Sequence, residues 1–186
     1  MKKIIFLVLV ITSVTACQKI KNLANISFSI PYSQTITVPT VPGYTYGMPI
    51  PGGSVQLPFP PVTVAINAQQ YFNQYHASAK NVVSASLGSM SLQITTPETQ
   101  YFDFLNTIQL SVSTEIQPVV LVAYLYDVPK GQKTINLIIT PGVDLKDYVT
   151  GDSITVQLNA YVNAVPAPGT QIYLSGNFNV TANPLD

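Results

Sequence analysis

Ile154-Thr-Val-Gln-Leu-Asn-Ala-Tyr-Val162 and, after the turn Pro166-Ala-Pro168-Gly169, Ile172-Tyr-Leu-Ser-Gly-Asn-Phe-Asn-Val180 decide the fold. Apolar or small residues stand at every second position, with polar partners between them. A period of two sends one row of side chains to a core and the other to water, as in a half-buried strand. Two such runs across a Pro/Gly turn predict a long antiparallel hairpin.

The same alternation recurs upstream. Ile108, Leu110 and Val112 interleave with Thr107, Gln109, Ser111 and Ser113. Ile26, Phe28 and Ile30 form one strand, and Ile36 with Val38 a second short one that Pro39 ends. Val62, Val64 and Ile66 follow, then Val83, Ala85 and Leu87, and after Gly88 the row Met90, Leu92 and Ile94, as two strands or one bent strand. Ile135, Leu137 and Ile139 come after a Lys130-Gly131 turn. Val119 to Tyr126 is apolar throughout, which predicts a central strand covered on both sides.

Helix signals are few. Asn67 stands as an N-cap before Ala68, Tyr71, Phe72, Tyr75 and Ala79 at helical spacing. Thr96-Pro97-Glu98 reads as a helix start, leading to a turn or two that pack Tyr101, Phe102 and Leu105. Asp144 to Val149 predicts a helical turn crossing between sheets, ended by Gly151-Asp152. Many strands and few helices predict an all-β, antiparallel β-sandwich with one or two short helical turns.

Between strands, residues 40–61 hold six prolines with Gly43, Gly47, Gly52 and Gly53. That composition excludes a helix or a central strand and predicts a long loop. It carries Tyr44, Tyr46, Met48, Ile50, Leu57 and Phe59. Such a loop either binds something or folds back over a sheet edge or one end of the core.

The chain has 186 residues, 47% of them hydrophobic and 9% charged, with no arginine. The apolar fraction suffices for a core despite the low charge. Without a basic patch, a nucleic-acid partner is excluded from expectation.

The N-terminus is Met1-Lys-Lys-Ile-Ile-Phe-Leu-Val-Leu-Val-Ile-Thr-Ser-Val-Thr-Ala-Cys17. Two lysines, an apolar run from Ile4 to Ile11 and the small or hydroxylated residues Thr12 to Ala16 have the layout of a secretory signal. The run is far shorter than the roughly 20 residues that cross a bilayer as a helix, so cleavage is expected. Cys17 is the only cysteine and has no disulfide partner. Val14-Thr-Ala-Cys17 resembles the lipobox of bacterial lipoproteins, with Val14 where Leu is usual and Thr15 where Ala or Ser is usual.

That resemblance implies a signal peptide over 1–16, a lipid on Cys17, a tether over 17–25 and a single domain over 26–186. Two acyl chains hold stably where one holds marginally, so the membrane becomes a partner without being spanned. Gln18 in place of Asp, and no acidic run after Cys17, imply the outer membrane by the same resemblance, on its periplasmic face, with surface exposure left open.

Residues 104 to 182, with Phe102-Asp-Phe-Leu105 at their start, Asp127-Val-Pro129 and Asp144-Leu-Lys-Asp147-Tyr148, resemble small immunoglobulin-like sandwich lipoproteins of Gram-negative envelopes. The resemblance implies a shape and a location and no reaction. The buried tryptophan and cysteine pair of antibody domains are missing, since the chain has no Trp.

Catalytic chemistry finds little material. A Ser-His-Asp triad needs a histidine, and His76 is the only one; no serine sits in Gly-x-Ser-x-Gly. His76 lacks a second imidazole, thiol or acid at zinc-ligand spacing. Asp144, Asp147 and Asp152 offer hard oxygens but not the spacing of a calcium loop; with Asp127 and Glu115 elsewhere they are the candidates for a glycosidase's acid pair, and turn formation, helix-start capping and solubility explain them as well. Asn25-Ile-Ser27, Asn179-Val-Thr181 and Asp152-Ser-Ile154 match short glycosylation patterns that arise often by chance. No cofactor, metal or catalytic residue is therefore expected. The reading is a non-catalytic binding module for a protein or glycan, with Tyr44, Tyr46, Phe59, Tyr71 and Tyr75 as ligand-contacting residues, since tyrosine pairs an apolar ring with a polar tip. The alternative is an assembly component that pairs through a strand edge.

Overall fold

A computed structural model describes residues 25–41 and 43–185. The expected signal peptide over 1–16, Cys17 and the expected tether as far as residue 24 lie outside the described residues. Two antiparallel sheets pack face to face, so the chain is the all-β sandwich expected. One sheet runs in the order β1 (Ile26–Thr37), β10 (Gln171–Ala182), β4 (Val82–Thr96), β7 (Thr134–Asn136). The other runs β2 (Val55–Leu57), β9 (Ser153–Val162), β5 (Leu105–Ser113), β6 (Val120–Tyr126), β8 (Ile138–Ile139), and β3 (Val62–Ala65) also pairs with β9. Of two short helices, α1 (Ala68–Gln74) connects the sheets between β3 and β4, and α2 (Lys146–Val149) lies between β8 and β9 of one sheet.

The inward rows are those that the alternation marks. Ile154, Val156, Leu158, Ala160 and Val162 on β9 are buried, as are Ile108, Leu110 and Val112 on β5. Facing them from the other sheet are Phe28, Ile30, Ile172, Leu174, Phe178 and Val180. Each such side chain contributes about 1.5–3 kcal/mol relative to exposure, so this layer is what holds the sheets together.

Several expectations are corrected. The last two strands are not a hairpin: β9 belongs to one sheet and β10 to the other. Their connection is longer than the 2–5 residues typical of hairpins, and its prolines carry the chain over the end of the sandwich. There the buried Thr170 N–H and hydroxyl both donate to the Ala167 carbonyl. Residues 26–38 are not two short strands; β1 runs unbroken through Pro31, with every residue in register against β10.

Val119 to Tyr126 is not covered on both sides. Val122 and Ala123 are buried, but Val119 is 61% and Tyr126 48% exposed. Thr96-Pro97-Glu98 starts no helix: β4 extends to Thr96, and a single 3-10 turn forms later, at Phe102–Phe104. Ile135, Leu137 and Ile139 do not share a strand, because β7 pairs with β4 and β8 with β6. The chain changes sheets at Leu137, whose N–H donates to the Met90 carbonyl. The crossing therefore falls there and not at α2. Val83 is 47% exposed, since it is the extra residue of a bulge between Val82 and Ser84, opposite Ala182 and Thr181, and a second bulge at Gly88 shifts the inward row again from Leu87 to Met90.

Candidate binding cleft

β1 is an edge strand, paired with β10 alone. On the same flank of the facing sheet lie β3 and β2, two short strands on β9 separated by Pro58-Phe-Pro-Pro61. The prolines cannot extend the ladder, so the two sheet edges do not close on each other. Two cavities that share Tyr32 open between them, and a third opens just past the end of β1.

The first, of about 210 Å³, lies between Pro31–Ser33 and the segment from Val64 to Tyr71. The second, of about 310 Å³, lies between the outer half of β1 and Phe59, Pro60 and Val62, with Val156, Leu158 and Leu174 as its floor. The third, of about 390 Å³, lies between Val38–Val41, Tyr44–Tyr46 and Val165–Pro168. Tyr32 lines the first two. Its phenol packs edge-on to Phe178, with ring centres 6.4 Å apart, and burial pushes its pKa up to about 12. It therefore presents a neutral hydroxyl, able to donate and accept.

The 40–61 segment both covers the core and lines this cleft. Val41, Ile50 and Leu57 are buried, and β2 makes part of it an edge strand, which corrects the expectation of a loop throughout. The Ile50 N–H donates to the Asn163 carbonyl and Pro49 bridges to Ala164, so the segment is stitched to the β9 side.

Four of the five expected ligand-contacting residues come to this flank. Tyr71 lines the first cavity, Phe59 the second, and Tyr44 and Tyr46 the third. Tyr75 lines none of the three and is stacked on Phe28, with ring centres 4.7 Å apart and planes 11° apart. Tyr32 continues the inward row of Phe28 and Ile30, a signal that the alternation carries although the expected strand ends at Ile30.

The edge of β1 has its own chemistry. The Val38 N–H donates to the Thr170 carbonyl at 2.8 Å, continuing an unshifted register. Alternate residues of an antiparallel strand turn both backbone groups the same way, so odd-numbered residues from Ser27 to Thr37 turn theirs outward. Pro31 is among them and removes one donor, a common device for blunting an edge.

The remaining candidates have structural positions. α1 ends in a Schellman motif, with Ala77 N–H donating to the Phe72 carbonyl at 2.9 Å and His76 N–H to Asn73 at 3.2 Å. His76 is the left-handed residue of that motif, at φ 53°. At the other end Asn67 occupies the N-cap position with φ 53° but makes no side-chain capping bond, which corrects its expected role. Asp144 Oδ1 accepts from the N–H groups of Ala85 and Lys146, at 3.1 and 3.0 Å. Among the described residues no three His, Cys, Asp or Glu side chains gather as a metal would need, and no helix is long and apolar enough to cross a membrane. Compared with known proteins, the chain matches no family model and no curated protein.

Proposed function

We propose that this chain is a non-catalytic, membrane-anchored envelope lipoprotein whose sandwich binds a protein or glycan through the cleft beside β1. The observation that carries this reading is the row of three cavities walled by Tyr32, Tyr44, Tyr46, Phe59 and Tyr71. Concave apolar walls with a few convergent hydroxyls are the usual makeup of ligand sites. The anchor is the lipid on Cys17, on the outer membrane by resemblance of its lipobox.

The test is cross-linking of the acylated chain in its own host, comparing wild type with a Tyr44→Ala/Tyr46→Ala variant and weighing the mature N-terminus by mass spectrometry. Loss of the captured ligand with lipidation and folding intact supports cleft recognition. Undiminished capture defeats it, and an unmodified Cys17 removes the anchor. A second reading, assembly through strand pairing, is favoured by the outward backbone groups of Ser33, Thr35 and Thr37 on β1. Thr35→Pro would abolish such assembly, while leaving recognition through Tyr44 and Tyr46 in place.

A further inference from the structure

The outer face of the second sheet, on the opposite side of its strands from the core, carries a different surface. Thr107 on β5 pairs with Tyr126 on β6 and with Tyr161 on β9. Those two tyrosines therefore stand about 10 Å apart, two strand spacings, on one face. In the next row Gln109 lies between Tyr124 and Asn159. The rings of Tyr124 and Tyr126 lie 4.9 Å apart, and Tyr126 and Tyr161 are 48% and 39% exposed. Amides hold the tyrosines and one another: Gln109 Nε2 donates to the Tyr126 hydroxyl and Gln56 Nε2 to Asn159 Oδ1, each at 3.1 Å. The polar positions continue as Gln157, Thr155 and Thr63, and none of the outward residues of β2, β3, β5, β6 or β9 is charged.

We propose that this face binds an uncharged polysaccharide chain laid across β6, β5 and β9. A sheet face is broad and flat, which suits an extended ligand better than a compact one. Tyrosine rings offer apolar faces to the C–H faces of sugar rings. Each Gln or Asn amide both donates and accepts, as each sugar hydroxyl does. The absence of charge offers nothing to an anionic glycan or a charged peptide. A tight protein partner is held by aromatic and Arg side chains seated in well-packed pockets, and none of the three cavities described above is lined by this face. The half-buried Tyr124 and exposed Tyr126 of β6 acquire a use in this way, and the assignment does not depend on the cleft.

The test is native affinity electrophoresis of the full chain in mild detergent, through gels containing neutral β-glucan, xylan, mannan or dextran, with polygalacturonate and alginate as charged counterparts. At least one neutral polymer is expected to retard the protein and the charged ones to leave it unaffected. Tyr126→Ala and Tyr161→Ala should each weaken retention about tenfold. Gln109→Ala should weaken it too, which keeps the test usable if a tyrosine variant folds poorly. Tyr44→Ala/Tyr46→Ala should leave it unchanged, which separates this face from the cleft. No retention in any neutral gel, equal retention in charged gels, undiminished retention of the Tyr126, Tyr161 and Gln109 variants, or loss of retention in Tyr44→Ala/Tyr46→Ala overturns the proposal. So does a dimer that Tyr126→Ala dissolves in the absence of glycan binding, which would make the face an interface between copies.

Discussion

A β-carbon on Gly176 would stand 2.2 Å from the carbonyl oxygen of Ser89, so β10 and β4 approach at this point more closely than any side chain allows. The methyl end of Met90 lies 3.0 Å from the same position, and Tyr32 is the partner of Gly176 on β1. The close approach sits beside the bulge at Gly88 that shifts the phase of β4, in the middle of its sheet. A backbone oxygen cannot swing aside as a side chain can.

Gly176→Ala should therefore destabilise the fold by about 3 kcal/mol, the upper end of overpacking costs. Gly88→Ala meets the side-chain amides of Asn177 and Asn179, their nitrogens at 2.6 Å and Asn179 Cγ at 2.8 Å. These can rotate at the cost of the 2.7 Å Asn177–Asn179 hydrogen bond, which is worth about 1 kcal/mol. Urea midpoints of the two variants check the ranking; equal losses would contradict it.

His76→Gly should stabilise the protein. A histidine held at φ 53° pays a steric penalty that glycine escapes, and the Schellman bonds of Ala77 and His76 need only backbone. The expected gain is about 0.5–1 kcal/mol after allowing for the greater freedom of glycine in the unfolded chain. A fall in thermal midpoint would assign the imidazole a contact that this position does not show.

Asp144→Ala should cost about 1–2 kcal/mol, because it strands two N–H donors, those of Ala85 and Lys146. The Leu145 N–H still reaches the Ala85 carbonyl at 2.7 Å, so the loop stays attached to β4. Calcium should leave the thermal midpoint of wild type unmoved if Asp144 serves the backbone alone; a rise that Asp144→Ala abolishes would make it a ligand.

The inward rows of β5, β9 and β10 were legible because alternation needs only one face buried, and a period of two reports that directly. Sheet membership was not. Alternation is identical whether neighbouring strands pair side by side or face each other across the core, so β9 and β10 read as a hairpin. The continuity of β1 through Pro31 is hidden for a related reason: on an edge strand a proline costs little when its nitrogen points outward, and nothing local marks β1 as an edge. The run Val119–Tyr126 failed in the other direction. Apolar residues there were read as buried on both sides, yet the tyrosines emerge on an outer face. Tyr44, Tyr46, Phe59 and Tyr71 were picked out by composition and come to one flank because the chain packs both the 40–61 segment and α1 beside β1.

Tyr32 gives the cleft a pH signature. Its phenol is pushed from 10.0 to about 12 by burial, so the folded state favours the neutral form. Below pH 10 both folded and unfolded chains keep the proton, and the preference is present in full. Between pH 10 and 12 the unfolded chain loses its proton first, binds fewer protons than the native state, and stability falls as pH rises. Part of the phenol meets solvent, so water screening makes the fall smaller than the bare shift implies. Tyr32→Phe cannot ionise and should lose less stability than wild type when urea midpoints at pH 8 and pH 11 are compared, the other tyrosines and lysines being common to both proteins. A ligand seated in the cleft would deepen the burial of Tyr32 and move its phenolate absorbance transition to still higher pH. A parallel decline in the two proteins, with a transition indifferent to added ligand, would place Tyr32 outside the site.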